Sequence, residues 1–152
     1  RYGYLLAATG NEAYNALVST EFAPEIGRNR VFQLGAADSD DPHALSHTVR
    51  GQTLFKSGMD LAELQRRHFA GWSFQRTKLS DKFGFEDYLA QRPEGSEILV
   101  VVKKNKALSF ATAAARPKVE AGDIVIAYAP PTAADKTEQK PKRQDNKPQL
   151  PG

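Results

Sequence analysis

The sequence predicts a mixed fold class, in which the end of a parallel α/β sheet is followed by a smaller α+β domain. Residues 2–34 are predicted to form strand, turn, helix and strand. The first strand is a continuous apolar run, Tyr4 to Ala8, of the kind that parallel sheets cover on both faces. Residues 72–130 instead begin with a strand of alternating apolar and polar positions and continue into a hairpin. These patterns place an α/β unit before an α+β unit.

The helix after the first strand is predicted to start at the turn Thr9-Gly10-Asn11-Glu12. Thr9 and Glu12 have the spacing of a capping box, and Gly10 allows a sharp turn. Because the residue before Pro24 resists the helical conformation, the helix is expected to stop or kink there, and Gly27 closes the segment. The apolar positions that share one helical face, typical of a face that packs on a core, are Tyr14, Leu17, Val18 and Phe22.

The second strand is predicted at Val31–Leu34. Two parallel strands and one helix cannot cover both faces of a sheet, and parallel sheets are stable only when both faces are covered. We therefore expect further strands upstream. Since the chain begins at Arg1 without an initiator methionine, we interpret it as the C-terminal part of a longer protein.

The remaining chain is divided by composition. Residues 37–71 are predicted to be a linker with a short extended segment at Thr53–Phe55 and a short helix capped by Asp60 and ended by Gly71. The apolar face of that helix consists of Leu61, Leu64, His68 and Phe69. The α+β domain covers residues 72–131, with strands at 72–79, 98–102, 107–112 and 124–129 and a helix around GFEDYLAQ. Residues 132–152 are polar and rich in lysine and proline, and are predicted to be a disordered basic tail.

Composition and charge exclude several classes of function. The net charge is +3, but five basic and three acidic side chains lie from Thr132 onward, so the folded remainder carries only about +1. A dedicated nucleic-acid binder needs a basic face on the fold itself, so no nucleic-acid partner is predicted. The absence of cysteine rules out disulfides and thiolate metal sites. No apolar run approaches the ~18 residues that a membrane-spanning helix requires.

Neither a catalytic nor a metal site is predicted. The acidic cluster of residues 38–41 lacks the glycine turn and the distal glutamate of a calcium loop, and is interpreted as a solvated loop. The serines lie in no nucleophile pattern, and the histidines do not put two ligands on one helical face. The chain is therefore predicted not to be an enzyme. The residues considered for these roles are Asp38, Asp40, Asp41, Ser19, Ser57, Ser73, His43, His47 and His68.

Three features have two possible interpretations. The aromatic residues of the α+β domain form either its core, which their spacing favours, or a base-stacking platform. The lysines of the hairpin tip are either solvated or hold an acidic ligand. The basic tail is either a plain soluble segment or lies near an anionic membrane surface. The aromatic and hairpin residues concerned are Trp72, Phe74, Phe83, Phe85, Tyr88, Lys103, Lys104 and Lys106.

Residues 7–36, ATGNEAYNALVSTEFAPEIGRNRVFQLGA, resemble the last strand-helix-strand unit of the RCK (KTN) domain, a Rossmann-type nucleotide-binding module of potassium channels, Trk-type uptake systems and cation:proton antiporters. The resemblance lies in the small residues that end the strand, the Gly10-Asn11-Glu12 turn, Asn15 in the first helical turn and the short loop from Gly27 to Arg30. It implies that residues 1–36 are the end of a Rossmann-type domain whose first part lies upstream.

The α+β domain adds a second resemblance in the expected order. ILVVVKKNKAL and VEAGDIVIAYAPP resemble the central hairpin and the closing element of the RCK C-terminal, or TrkA-C, domain. The insertion between the Rossmann-type unit and this domain, GQTLFKSGMDLAELQRRHFAGW, resembles the cytosolic tails of NhaP-type sodium or potassium:proton antiporters. The resemblance thus implies a Rossmann-type sheet followed by a TrkA-C-like domain.

The resemblance also implies a nucleotide site. In the RCK family the turn after the corresponding strand lies beside the bound nucleotide, which makes Thr9, Gly10, Asn11, Glu12 and Asn15 the candidate binding residues. The ligand would be NAD(H) or another adenine nucleotide, held mostly by the glycine-rich turn upstream. The alternative interpretation is that Thr9 and Glu12 only cap the helix and that Asn15 only binds backbone.

The function that the resemblance implies is regulatory. The chain would be the dimerising, ligand-sensing tail of a monovalent cation:proton antiporter, at the cytoplasmic face of the membrane, with the transmembrane domain upstream in the same polypeptide. Two alternatives remain: a free-standing Trk-type potassium-uptake subunit, and the C-terminal part of a Rossmann-type oxidoreductase. The oxidoreductase is disfavoured because residues 72–130 contain no histidine to act as acid or base.

Overall fold

A computed structural model describes residues 3–35, 51–55 and 59–133. They form two units, a three-stranded parallel sheet with one long helix and a four-stranded antiparallel sheet with a short helix. The predicted fold class is therefore confirmed at the level of an α/β unit followed by an α+β unit. The predicted acidic loop and residues 134–152 of the predicted disordered tail lie outside the described residues.

The parallel sheet has the strand order β1-β2-β3. Leu5 pairs with Val31 and Phe32 pairs with Gln52, so the three strands run in the same direction. The third strand lies in the range that the sequence assigns to the linker. The elements of this unit are β1 (Leu5–Ala7), α1 (Glu12–Ile26), a 3₁₀ turn (Arg28–Arg30), β2 (Val31–Gln33) and β3 (Gln52–Thr53).

Only β2 is buried along its whole length. β1 lies at the edge of the sheet, and within the described residues it pairs with β2 alone. The side chain of Leu6 is 51% exposed. Within the described residues this first strand is not covered on both faces, because no described element packs over Leu6 or beside the outer edge of β1.

Helix α1 packs on the sheet through small and polar residues, Asn15, Ala16 and Ser19. The apolar face predicted from the spacing does not pack on this sheet, since Tyr14 is 55% and Leu17 is 60% exposed. The reason is the close approach of helix and sheet. A Cβ added to Gly51 would stand 2.9 Å from the Cβ of Ser19, so no larger side chain fits on the buried face at this position.

Two details predicted for α1 need correction, its N-cap and its stop at Pro24. The N-cap is Asn11, whose side chain accepts a hydrogen bond from the Tyr14 amide, so Thr9 and Glu12 do not form a capping box. Asn11 is preferred because its short side chain reaches that amide directly. The helix also continues through Pro24, where the lost hydrogen bond falls in the last turn. It then ends as predicted at Gly27, whose φ of 100° suits glycine.

Helix α2 (Leu61–Phe69) follows the prediction more closely. Asp60 caps it by accepting a 2.7 Å hydrogen bond from the Glu63 amide. Leu61 and Leu64 pack against the core of the first unit. Phe69, expected on the same face, is 87% exposed, so that part of the prediction is wrong. The helix ends as predicted at Gly71, which follows the C-cap Ala70 and has a φ of 87°. The amides of Gly71 and Trp72 donate to the last carbonyl oxygens of the helix, each at 3.0 Å.

The second unit has the predicted order of strand, helix and three strands. Its sheet has the order β4-β7-β5-β6 and is antiparallel throughout. A bulge interrupts the β5–β7 pairing between Ile98 and Val100. The elements are β4 (Ser73–Lys78), α3 (Phe85–Gln91), β5 (Glu97–Val102), β6 (Leu108–Phe110) and β7 (Ile124–Ala129).

The core of this unit confirms part of the aromatic prediction. Tyr88 is buried, and Phe83 and Phe85 pack against the same cluster. Phe74 is 72% exposed and lies outside that core, on the other face of the sheet. There its ring centroid is 5.0 Å from that of Tyr128. The buried members of the core are Leu79, Tyr88, Val101, Val125 and Ala127.

The two units are joined by backbone and aromatic contacts. The chain after β3 meets the chain after β6, where the Phe55 amide donates to Ala111 and the Ala113 amide donates to Thr53, at 3.2 and 2.9 Å. The rings of Phe32 and Phe110 lie 4.6 Å apart between centroids. Residues 53–55 therefore pair with the chain after β6 and form the junction between the units.

Candidate functional site

The candidate nucleotide-binding residues lie at one edge of the parallel sheet. Residues 9–12 follow β1 directly, and Gly35 lies just after β2. Because the strands are parallel, their carboxyl ends meet at the same edge, where open α/β sheets bind ligands. A Cβ added to Gly35 would stand 3.1 Å from the Cγ of Glu12. The loop after β2 thus contacts the first turn of α1.

Asn15 fixes the turn from within. Its Oδ1 accepts hydrogen bonds from the amide and the hydroxyl of Thr9, at 2.9 and 2.7 Å. Its Nδ2 donates to the carbonyl oxygens of Thr9 and Leu34, at 3.0 and 3.2 Å. The residue is only 1% exposed. One amide side chain therefore ties the end of β1 to the end of β2.

This arrangement gives Asn15 a positioning role. An asparagine side chain has two N–H donors and one carbonyl acceptor, and all are engaged with Thr9 or Leu34. The structure thus brings Asn15 together with Thr9 but places it beneath the surface. The hydrogen bonds of Asn15 to backbone agree with the alternative interpretation, in which Asn15 only binds backbone. The same interpretation has Thr9 cap the helix, and that part is wrong because Asn11 is the cap.

Thr9, Gly10, Asn11 and Glu12 are all exposed. The Thr9 hydroxyl oxygen also accepts a 3.2 Å hydrogen bond from the Asn11 amide, which stiffens the turn. A Cβ added to Gly10 would meet no atom within 4 Å, so the backbone there is open to an incoming group. The surface of this turn is preorganised and accessible.

The electrostatics of the turn favour a neutral part of a ligand. The N-terminus of α1 carries the positive end of the helix dipole, which attracts anions. Glu12 places a carboxylate in the same turn and offsets that attraction. The turn is therefore better suited to contact a sugar or a base than to hold a phosphate.

A second cluster joins α2 to the antiparallel sheet. Arg67 donates to Glu63 at 2.7 Å and to Glu97 at 3.1 Å. Its guanidinium carbon lies 4.5 Å from the centroid of the Trp72 ring. Hydrogen bonds from Arg66 and Arg67 lower the pKa of Glu63 to about 2. The sequence signal for this cluster was the placement of Glu63 three and four residues before the arginines on one helical face.

The hairpin lysine Lys103 has an internal partner. Its Nζ donates to Oδ2 of Asp123 at 2.7 Å and to the carbonyl of Lys118 at 2.9 Å. Burial raises the pKa of Asp123, but the hydrogen bonds from Lys103 and from the Glu120 amide outweigh it and lower that pKa. Neither interpretation of Lys103 is therefore correct. The Gly122-Asp123 element of the sequence has a structural role: Gly122 adopts a φ of 90°, and Asp123 forms an ion pair with Lys103.

Within residues 3–35, 51–55 and 59–133 no group of three or more histidine, aspartate or glutamate residues is arranged to hold a metal ion. His68 is exposed on α2. The acidic residues Asp38, Asp40 and Asp41 and the histidines His43 and His47 lie outside the described residues. Ser19 is buried in α1, and Ser73 is exposed at the start of β4.

No protein-family model matches the sequence, and no curated protein shows significant similarity to it. None of the helices in the described ranges combines the length and the apolar character needed to cross a bilayer. The geometry of the described residues is thus the basis for the functional argument.

Proposed function

We propose that this chain is the ligand-sensing regulatory module of a membrane antiporter that exchanges Na⁺ or K⁺ for H⁺. In this proposal the module is of the RCK type, with a Rossmann-type unit followed by a TrkA-C-like domain. It lies at the cytoplasmic face of the membrane, dimerises, and responds to NAD(H) or another adenine nucleotide. It performs no catalysis. Transport takes place in a transmembrane domain of the same polypeptide.

The observation that carries the proposal is the exposed turn of residues 9–12 at the carboxyl end of β1, braced by Asn15. This is the position at which parallel α/β sheets receive nucleotides. The turn contributes one wall only, and its charge suits the sugar or base of a nucleotide. The pyrophosphate would be held by a glycine-rich turn on a neighbouring strand upstream.

The open edge of the parallel sheet supports the same proposal. β1 has a partner on one side only among the described strands, and Leu6, Tyr14 and Leu17 are large apolar side chains that remain exposed. Exposed apolar patches of this kind mark surfaces that another part of a protein covers. Further strands and helices of the same domain, beside β1, would cover the outer edge and these side chains.

Regulation requires that the ligand bind two conformations with different affinity. The junction between the units supplies an element that can differ between two states. Among the described residues, the backbone pairing there is limited to residues 53–55 and residues 111–113. A ligand at the rim of the parallel sheet would shift the position of the antiparallel unit through that segment.

The test is nucleotide binding by the complete polypeptide, with Gly10→Leu as the decisive variant. Since a Cβ at Gly10 meets nothing within 4 Å, the fold tolerates the substitution, but the new side chain blocks a ligand that packs on the turn. The matched control is Gly3→Leu, which is equally open. We expect Gly10→Leu to weaken binding of NADH or ATP, measured by calorimetry, at least tenfold, and the control to leave it unchanged.

Equal binding by Gly10→Leu and the wild-type protein would remove the turn from the nucleotide site. Nucleotide binding without any membrane-spanning segment in the polypeptide would favour the free-standing Trk-type subunit. Hydride transfer from a bound nicotinamide would favour the oxidoreductase instead.

A further inference from the structure

A pocket of about 110 Å³ lies at the junction of the two units. Three apolar side chains, Phe55, Phe85 and Leu89, form part of its wall. Phe55 belongs to the segment that follows β3, whereas the other two lie on α3. Ligand pockets occur preferentially at such junctions and combine apolar walls with a few polar groups. The pocket lies apart from the turn of residues 9–12, since none of those residues lines it.

Two arginines give the pocket its charge. Arg92 and Arg116 both line it, and within the described ranges neither forms an ion pair. Arg92 donates only a 3.3 Å hydrogen bond to the carbonyl of Ser96. Glu97 also lines the pocket, but its carboxylate accepts from Arg67, which offsets its charge. The pocket is therefore lined by two arginines that have no carboxylate partner in the part of the chain that the structure describes.

Phe55 has a strained backbone. Its φ is 67°, in the left-handed region that a bulky aromatic residue rarely adopts. The hydrogen bond from its amide to Ala111 holds it there. Strained residues of this type concentrate at ligand sites. The strain at Phe55 is the second, independent indication that the pocket is functional.

We propose that this pocket binds a small organic acid with an apolar body and one anionic head group. Arg92 and Arg116 bind the head group, because guanidinium groups pair with carboxylate or phosphate oxygens through charge-assisted hydrogen bonds. The rings of Phe55 and Phe85 contact the body. A volume of about 110 Å³ suits a ligand of the size of a single ring with its substituent.

The ligand acts on the junction. It contacts Phe55 on one side and the chain around Thr112 on the other, so that its binding stabilises the pairing between the segment after β3 and the segment after β6. Within the regulatory proposal this is a second input, but the pocket and its ligand class do not depend on that proposal.

The experiment is an NMR titration of the 152-residue chain with benzoate, phenyl phosphate and the neutral benzyl alcohol. We expect saturable shifts at the amides of Phe55, Ile98 and Thr112, with a Kd of about 1 mM for the better anion. Arg116→Gln should weaken binding of that anion roughly tenfold, because a charge-assisted hydrogen bond is lost. Arg76→Gln, which removes an exposed arginine from β4, is the matched control and should have no effect.

A second readout follows the junction. Amide exchange at Leu54, Phe55 and Ala113 should slow at least threefold in saturating anion, and exchange in the middle of β7 should not change. Three results would overturn the proposal: no saturable binding of either anion, equal binding of benzyl alcohol, or an Arg116→Gln variant that binds the anion as the wild-type chain does. A preference for benzoate over phenyl phosphate identifies the head group as a carboxylate, and the opposite preference identifies a phosphate.

Discussion

Replacement of Asn15 by alanine tests whether one buried amide holds the candidate site together. The substitution removes four hydrogen bonds, three of them to Thr9 and one to the carbonyl of Leu34. Thr9 is exposed, so water can replace its lost partners at a net cost of about 1 kcal/mol. Leu34 is buried, and an unsatisfied buried carbonyl costs about 2 kcal/mol. The expected total is about 3 kcal/mol.

The assay is native-state amide exchange, because it resolves the two units separately. We expect the amides of β2 and the middle of α1 to exchange roughly a hundredfold faster in Asn15→Ala, since about 1.4 kcal/mol corresponds to a factor of ten. Amides in the centre of β7 should be unaffected. The matched control is Leu17→Ala on the exposed face of the same helix, which should cost less than about 0.5 kcal/mol.

The opposite order would refute the reasoning. If Leu17→Ala lost the ~2 to 5 kcal/mol typical of a core leucine while Asn15→Ala lost almost nothing, α1 would pack through its apolar face as the sequence spacing suggests. In the complete protein, where further elements are proposed to cover this face, Leu17→Ala should become costly while the effect of Asn15→Ala stays the same. A higher cost of Leu17→Ala in the complete protein than in this chain would therefore also test the proposal that further elements cover the open edge of the sheet.

Two further predictions concern the ion pairs of the second unit. Lys103→Met leaves Asp123 buried without its cation and should lower the free energy of unfolding by about 3 kcal/mol at pH 7. The folded-state pKa of Asp123 is lowered, so its contribution to stability is present above the ordinary value of 3.8 and is lost as the pH falls through the folded pKa. The deficit of Lys103→Met in urea unfolding should therefore shrink as the pH falls below 3.8. A deficit independent of pH would contradict this pairing. Arg67→Gln should shift the fluorescence emission of Trp72, the single tryptophan, and lower the free energy of unfolding by about 1 kcal/mol. Arg66→Gln should change neither the emission nor the free energy of unfolding measurably. Equal effects of the two variants would show that the contact between Arg67 and the Trp72 ring is unimportant.

The sequence predicts the order of elements well and the packing of α1 poorly. Strand-forming runs and turn glycines are local signals, and they place β4 to β7 and α3 within a few residues. The face that a helix buries depends on its distance from the sheet. Here that distance is set by the contact of Ser19 with Gly51, two residues 32 positions apart whose meeting is not visible in the spacing of apolar residues.

The candidate site likewise combines features that the local sequence predicts with features that depend on contacts between distant residues. The turn of residues 9–12 is predicted from its glycine and its capping residues, but Asn11, not Thr9, proves to be the cap. The role of Asn15 depends on Leu34, which only the parallel pairing of β1 and β2 brings within 3.2 Å. The pocket at the junction has no sequence signal at all, because its residues come from four separate segments.

The most direct test of the regulatory proposal is cation-dependent proton exchange in everted membrane vesicles. The complete polypeptide is compared with a version that ends before Arg1, with and without added NADH or ATP. We predict that the complete protein changes its rate of Na⁺- or K⁺-driven proton exchange when nucleotide is added, and that the shortened protein exchanges cations without responding. Identical nucleotide responses of the two proteins, or no exchange activity in the complete polypeptide, would contradict the proposal.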